Sequence, residues 1–191
     1  MILYYSNNFK SGLKVLFEKQ PCYIESVEFV KPGKGQTFSR VKLRKIINNQ
    51  LVEKTFRSTD FLYSANVVDV LLTYIYHDKD FWYFMNHKNF DQLSLDKEII
   101  KNNNQWLIEQ NKYIITLWNE KPISIIMHNF VKLKVTHIIS KFKSNFIMNT
   151  KHMKLCQLST GATIKVPLFI QIGDIIKVDT RTGEYNSRVS K

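Results

Sequence analysis

Residues 23–44 read YIESVEFVKPGKGQTFSRVKLR, which is two strand-like runs around a short loop. Side chains alternate with a period of two on both sides, as Val27 and Phe29 show before the loop and residues 40–44 show after it. The loop holds a Pro-Gly pair, in which proline fixes φ and glycine accepts the positive φ of a tight turn. This pattern predicts a β-hairpin. Lys34, between two glycines, would stand at the outer end of its extended arm.

Composition limits the class of protein. The chain has 191 residues, of which 44% are hydrophobic and 13% aromatic, enough to bury cores. It contains no apolar run of about 18 residues and no secretory signal pattern at its start. Cys22 and Cys156 are isolated and fit a reducing compartment, and no Cys/His spacing suits a metal. The sequence therefore predicts a folded cytoplasmic protein that contacts no membrane and holds no metal or other cofactor.

The formal net charge of +12 is distributed unevenly along the chain. Residues 1–64 carry 11 basic and 5 acidic side chains, residues 65–128 carry 6 and 8, and residues 129–191 carry 11 and 3. Two explanations stay open: the 23 lysines follow an AT-rich codon bias, or the basic ends contact nucleic-acid phosphates. Codon bias alone should raise the net positive charge of all three segments. The acidic middle segment therefore favours phosphate contact at the two ends.

Short strand-like runs separated by turns recur along the whole chain, which is typical of small β-barrels. With the charge segments, they predict an all-β protein of three consecutive barrels, with boundaries at 1–64, 65–128 and 129–191. A single larger sandwich is the alternative. All three tryptophans lie in the middle segment and indicate a separate core there. One short helix is expected near 94–105, with Ser94 as its N-cap.

Enzymatic motifs are absent from the sequence. It has no nucleophile elbow, no phosphate-binding glycine loop and no zinc-protease motif, and its five histidines are scattered. Nothing near Lys34 would desolvate its amine, as a Schiff-base lysine requires. Lysine-rich hairpin tips are also common on surfaces without a specific role. The basic stripe after the tip fits either phosphate contact or a solvated sheet face; it comprises Arg40, Lys42, Arg44 and Lys45.

Several motifs, in order along the chain, resemble bacterial elongation factor P. They are the tip at 30–36 (VKPGKGQ) with the following RVK at 40–42, VEKTFRSTD at 52–60, FWYFM at 81–85 and GDIIKVDTRTGEY at 173–185. The resemblance spans nearly the whole chain. It implies an SH3-like (KOW-like) barrel that carries the Lys34 hairpin, followed by a central and a C-terminal OB-type barrel, with a tRNA-like overall shape.

The resemblance also implies a function. Members of this family bind the 70S ribosome between the peptidyl and exit tRNA sites and relieve stalling at consecutive prolines. The residue that matches Lys34 reaches towards the peptidyl-transferase centre; in lysine-bearing members it commonly carries a β-lysyl group, which in some is hydroxylated. The implied partners are ribosomal RNA, peptidyl-tRNA and the enzymes that modify Lys34, and the factor acts as a monomer without being an enzyme.

The residues that this resemblance assigns to the site form two groups. The tip loop consists of Lys31, Pro32, Gly33, Gly35 and Gln36 around Lys34. RNA contacts are expected, by analogy, from Arg40, Arg44, Arg181, Tyr185 and Arg188.

The chain departs from the family pattern in two ways. The region from Lys143 to Lys154, where the family usually has a glycine-rich loop that approaches the exit-site codon, contains no glycine. The strong positive charge also differs from the acidic members of the family. Two alternatives therefore stay open beside the leading interpretation: a general RNA-binding β-barrel protein without proline rescue, and a structural ribosome-associated protein.

Overall fold

The computed structural model describes residues 2–33, 35–139 and 153–189 of the chain. Strands account for 59% of these residues and helices for 7%, which confirms the expected all-β class. The strands form three sheets of six, five and five strands. Among the described helices, none has the length and apolar character needed to cross a membrane.

The first sheet has the strand order β1-β6-β2-β3-β4-β5. Its strands are β1 (Leu3–Tyr5), β2 (Lys14–Phe17), β3 (Gln20–Val30), β4 (Phe38–Lys45), β5 (Leu51–Arg57) and β6 (Phe61–Ser64), with a 3₁₀ turn at Ser6–Asn8. A core of apolar side chains lies against this sheet and includes Phe9, Val15, Ile24, Val41 and Leu43.

The second sheet has the order β11-β10-β7-β8-β9. Its strands are β7 (Val67–His77), β8 (Phe81–Met85), β9 (Gln92–Asp96), β10 (Lys112–Trp118) and β11 (Lys121–Ile126). Between β9 and β10 lie the single-turn helix α1 (Lys97–Ile100) and a 3₁₀ helix (Lys101–Trp106).

The predicted N-cap of this short helix was wrong. Ser94 lies within β9, opposite Tyr83 of β8, because the strand alternation continues to Asp96. The cap is Asp96, whose carboxylate accepts a hydrogen bond of 2.9 Å from the backbone N–H of Ile99. Asp96 caps more favourably because a carboxylate also interacts with the positive end of the helix.

The third sheet has the order β14-β13-β12-β15-β16. Its strands are β12 (Phe130–Ile139), β13 (Met153–Leu158), β14 (Thr163–Pro167), β15 (Ile175–Asp179) and β16 (Glu184–Arg188). Val131, Leu133 and Val135 of β12 are buried in the core of this sheet. The glycine-free region from Lys143 to Lys154 lies outside the described residues, except for its last two, which begin β13.

The expectation of a separate core around the three tryptophans was wrong for Trp106. Its side chain is buried among the apolar residues of the third sheet, and its ring lies 3.5 Å from the position that a Cβ on Gly183 would take. The 3₁₀ helix before β10 carries Trp106 there. Composition cannot predict this, because a buried ring satisfies the hydrophobic effect equally well in either core.

The chain divides into two compact units, residues 1–70 with 114–125 and residues 71–113 with 126–191. The boundary runs through the second sheet, within β7 and near the start of β10. The three predicted domain ranges therefore stay a prediction at this point.

Candidate functional site

The predicted hairpin is formed by β3 and β4. The strands pair antiparallel from Cys22 opposite Lys45 to Val30 opposite Phe38. Seven residues connect the last pair, namely the tip loop, 31–36, and Thr37. Lys34 lies outside the described residues, so its structural assignment stays a prediction.

The hairpin is anchored on both sides of β4. On the edge of β4 away from β3, strand β5 pairs with β4 from Phe38 opposite Arg57 to Arg44 opposite Leu51. Ser39, Val41 and Leu43 turn their side chains into the interior and are buried. A strand with ladder partners on both edges and a buried face has a strongly specified register. The hairpin can therefore present its tip from a rigid base.

A β-bulge interrupts the period of two in β3. The register with β4 shifts between Ile24 and Ser26, which leaves Glu25 as the additional residue. Ile24 is buried before the bulge, the next two residues are exposed, and Val27 is half-buried after it. The simple alternation inferred across residues 23–30 therefore changes phase at Glu25.

The glycines of the tip differ from the turn inferred from the sequence. The expected positive φ at the Pro-Gly pair is not found, because Gly33 lacks it and Gly35 has it, at +110°. A Cβ on Gly33 would meet no atom within 4 Å, and one on Gly35 would meet only Pro32 Cγ at 3.9 Å. Gly35 is therefore required by its backbone conformation, whereas at Gly33 the described residues leave room for a side chain.

The basic stripe of β4 is largely paired with acids. Arg40 lies 3.4 Å from carboxylate oxygens of both Glu28 and Glu53. Arg44 binds Glu25 through two nitrogens, at 2.6 and 2.8 Å. Lys45 lies 3.5 Å from the Glu18 carboxylate. Both nitrogens of Arg44 contact the same oxygen, Oε2, and these are the shortest acid contacts of the three residues, so Arg44 is the residue least available to a phosphate.

Arg181 and Arg188 also have acidic partners. Arg181 forms a fork with Asp179, with Nη2 at 2.6 Å and Nε at 3.0 Å from its carboxylate oxygens. Hydrogen bonds from Arg181 lower the pKa of Asp179 to about 2. Arg188 is 3.8 Å from Asp174, a longer and weaker contact. Tyr185 is half-buried and packs against the core of the third sheet, which gives it a structural role.

Other chemically active side chains have structural partners. Burial raises the pKa of Tyr74 to about 12, so its hydroxyl is protonated at neutral pH and lies 2.9 Å from His77 Nδ1. Nε2 of His128 lies 2.9 Å from the carbonyl oxygen of Lys112. Cys22 and Cys156 are buried free thiols, and burial raises both pKa values. Within the described ranges, no cluster of three or more histidine, cysteine or acidic residues could hold a metal.

Three lysines on the third sheet were missed as candidates. Lys132 and Lys134 were visible as the polar half of the β12 alternation. Their relation to Lys177, which lies directly opposite Lys132 on β15, depends on the strand register. In the sequence, the alternation of lysines on β12 indicated two members of this group, Lys132 and Lys134.

Solved structures share this fold. The model resembles "Eukaryotic translation initiation factor 5A from Methanococcus jannaschii", with a TM-score of 0.52 and 17% identity, covering 65% of this chain and 94% of that one. A "Translation initiation factor eif-5a family protein from Naegleria fowleri ATCC 30863" gives a TM-score of 0.52 at 16% identity, covering 66% and 98%. At this identity the likeness concerns the fold, which is the all-β barrel fold of these translation factors.

The family follows from three family models and from full-length relatives. The models are the elongation factor P KOW-like domain over residues 6–62, its OB domain over 67–125 and its C-terminal domain over 131–188. Elongation factor P of Buchnera aphidicola subsp. Acyrthosiphon pisum (strain APS) is 57% identical over 189 residues, covering 99% of this chain and all of the relative. That of Buchnera aphidicola subsp. Schizaphis graminum (strain Sg) is 58% identical with the same coverage.

The chain belongs to the elongation factor P family and is a translation elongation factor. The predicted order of a KOW-like barrel followed by OB domains is confirmed.

Proposed function

We propose that this protein binds the ribosome between the peptidyl and exit tRNA sites and stimulates peptide-bond formation at consecutive prolines. Lys34 acts near the peptidyl-transferase centre, where a long amine contacts the terminal nucleotides of peptidyl-tRNA. The ribosome performs the chemistry and the factor supplies positioning.

The observation that supports this proposal best is the β3–β4 hairpin. Strand β5 pairs with the outer edge of β4, and the inner face of β4 is buried, so the register of the hairpin is fixed. In the tip loop, both neighbours of Lys34 are glycines and carry no side chain. A lysine on such a base can enter a narrow space without steric obstruction from adjacent side chains. A loosely tethered lysine would lose more conformational entropy when it is held in one place.

Positioning is the kind of help that proline needs. The pyrrolidine ring fixes φ and restricts the approach of the proline nitrogen, so correct placement of the peptidyl-tRNA end matters most for this residue. Holding two reactants in a productive geometry can change a rate by orders of magnitude, and a displacement of about 1 Å can cost about 100-fold.

The proposal includes modification of Lys34 by enzymes that attach a β-lysyl group, with hydroxylation as a further step in some family members. The longer amine would extend the reach of the hairpin. A lysine at this position, rather than an arginine, fits the lysine-modified branch of the family. We place the factor in the cytoplasm as a monomer, with 70S ribosomes, peptidyl-tRNA and ribosomal RNA as partners.

The proposed domain ranges are 1–64, 65–128 and 129–191. Three separate sheets support them, as do the three family-model matches that fall within these ranges. The proposed RNA contacts are Arg40, Arg44, Arg181, Tyr185 and Arg188. For the four arginines, phosphate has to displace a carboxylate partner.

The proposal is tested by translation of a three-proline reporter in a purified system that lacks the factor. The protein isolated from its native cells is added, and a proline-free reporter serves as control. Intact-mass measurement of the same sample determines whether Lys34 carries an additional group. We expect rescue of the proline reporter alone.

Equal stimulation of both reporters, or RNA binding without rescue, would favour the general RNA-binding alternative. Retention on ribosomes through high salt, without turnover between ribosomes, would favour a structural ribosome-associated protein. A factor that works repeatedly must dissociate.

A further inference from the structure

The outer face of β12 and β15 carries a group of lysines that we call the lysine row: Lys132, Lys134 and Lys177. The alternate residues on these strands, such as Leu133 and Ile176, are buried, so the lysine side chains lie on the opposite, outer face. Lys132 and Lys177 are directly opposite each other in the ladder. Three ammonium groups therefore share one small area of the sheet.

The charges of the lysine row have no acidic partner among residues 2–33, 35–139 and 153–189. Every ion pair found within 4.0 Å there involves another basic side chain. Like charges placed directly opposite on a sheet are destabilising. No ion pair among these residues offsets the repulsion of the opposed lysines, and an anion from another molecule would do so.

Phe130 holds one of these ammonium groups in place. Lys177 Nζ lies 4.3 Å from the centroid of the Phe130 ring, and the Arg181 guanidinium carbon lies 5.9 Å from it. The ring is itself 38% exposed. A cation–π contact restrains the lysine without neutralising its charge, so the ammonium group keeps its attraction for an anion.

The lysine row is a more favourable binding surface for phosphates than the cleft beside it. A cleft of about 700 Å³ adjoins Lys132 and is lined on another side by Glu109. A carboxylate repels phosphate. On the strands next to the row, β13 carries no acid and β15 carries Asp179, which the Arg181 fork occupies, while Glu184 of β16 lies opposite Asp179. A polyanion is therefore favoured along the strands rather than inside the cleft.

We propose that the lysine row binds the phosphate backbone of RNA. This inference rests on the proposed function, because it identifies the surface by which a ribosome-bound factor holds RNA away from its hairpin tip. Phosphate contacts of this kind position a protein without reading sequence.

The test compares two triple variants that lower the net charge of +12 by the same amount. The first replaces the row by Lys132→Gln, Lys134→Gln and Lys177→Gln. The matched control replaces three exposed lysines of the second segment by Lys79→Gln, Lys88→Gln and Lys112→Gln. Binding of an oligouridylate of about 16 nucleotides, the upper site size of an OB fold, is measured by fluorescence anisotropy at several salt concentrations.

We expect the row variant to bind at least about tenfold more weakly at low salt. Its plot of log affinity against log salt should be shallower by about 2, because three single-strand phosphate contacts are lost at about 0.7 each. The control variant should retain the parental slope. Equal losses in both variants would show that binding follows net charge alone, and parental behaviour of the row variant would also overturn the proposal.

Two further measurements separate this proposal from others. The second probe is a polyglutamate with about the same charge as the oligouridylate. If the parental protein binds polyglutamate more tightly than it binds RNA, the surface binds an acidic protein and the proposal is wrong. In the three-proline reporter, the folded row variant should rescue only at higher concentration. Absence of rescue by the parental protein would refute the proposed function and leave the RNA result standing.

Discussion

Strand β4 of the hairpin and strand β12 of the third sheet have the same pattern of basic residues but opposite electrostatic surroundings. Both alternate cationic and buried apolar side chains, and both lie inside a sheet rather than at its edge. On β4, the acids of β3 and β5 lie within ion-pair distance of Arg40 and Arg44. On β12, the residue opposite Lys132 is another lysine.

The comparison shows that the charge of a strand does not determine its availability to a polyanion. What matters is the charge of the side chains on the neighbouring strands that lie within reach of it. The first and last chain segments, at +6 and +8 by the side-chain counts above, look equivalent in the sequence. An exposed ion pair is worth only about 0–1 kcal/mol, so the pairs on β4 can be broken, but phosphate has to compete for them.

The largest expected effect is the loss of proline rescue when the tip is changed, and it distinguishes the role of the tip from that of β4 and β12. Lys34→Ala should reduce rescue of a three-proline reporter by about 100-fold, to near the level without factor, because the positioning amine is lost. RNA affinity should change by less than about twofold, since one of many cations is removed. Translation kinetics and anisotropy on the same preparation measure the two quantities.

Lys31→Ala is the matched control, because it removes a lysine from the same loop. It should keep most of the rescue activity. If Lys34→Ala and Lys31→Ala lose rescue equally, the tip acts through its overall charge, and the distinction between tip and sheet fails.

The next largest effect tests how the third sheet is held together. Trp106→Ala should lower the free energy of unfolding by about 3–5 kcal/mol, because it leaves a cavity in the core beneath β12. Urea denaturation measures the loss. Amide hydrogen exchange should accelerate at Val131 and Leu133, while amides of β3 and β4 keep their protection. Accelerated exchange in the hairpin alone would contradict the placement of Trp106.

A smaller effect concerns Asp179, an acid of β15 that follows Lys177 by two residues. Asp179→Asn releases Arg181 and should raise RNA affinity by about threefold, as one more cation becomes available. Asp91→Asn changes the net charge equally in the second segment and should leave the affinity nearly unchanged. Equal gains in both variants would show that this charge acts only at long range.

The same variant has a defined dependence on pH. The folded pKa of Asp179 is about 2, below its ordinary value of 3.8, so the carboxylate stabilises the fold above pH 4. Thermal unfolding should show parental protein as the more stable at pH 7. The difference should disappear as the pH falls from about 4 to about 2, where the carboxylate takes up its proton. A constant difference across this range would contradict the pKa.

The smallest effect is expected at Arg44. Arg44→Gln should change RNA affinity by less than about twofold, because Glu25 already neutralises the guanidinium. The free energy of unfolding should fall by about 1 kcal/mol, and a double-mutant cycle with Glu25→Gln should recover most of this as coupling. A loss of RNA affinity as large as that of the row variant would remove the contrast between the two strands.

The sequence predicted what depends on local periodicity. The alternation of Val131, Leu133 and Val135 with lysines correctly placed the buried face of β12. The run around residues 23–44 predicted the hairpin, and the motifs it shares with elongation factor P predicted the family. Period-two patterns assign faces, and that information resides in each strand alone.

The errors concern features that depend on a neighbouring strand or helix. Periodicity cannot reveal that Lys177 lies opposite Lys132 or that Glu25 reaches Arg44, because register is a property of two strands. Ser94 and Asp96 are both good cap residues, and the length of β9 decided between them. Trp106 joined the third core because a short helix carries it there.

The bulge at Glu25 also determines how the first barrel responds to changes in chain length. Beyond this residue, each side chain of β3 has its face assigned by a count that starts at the bulge. Deleting Glu25 would remove the additional residue and leave every ladder pair from Ser26 to Val30 in place, and a deletion in the tip loop would also leave these pairs in place. A slip of one residue in the paired part of the arm would instead move side chains to the other face. For the stability of the fold, the hairpin is therefore most tolerant of a one-residue deletion at its far end and at Glu25.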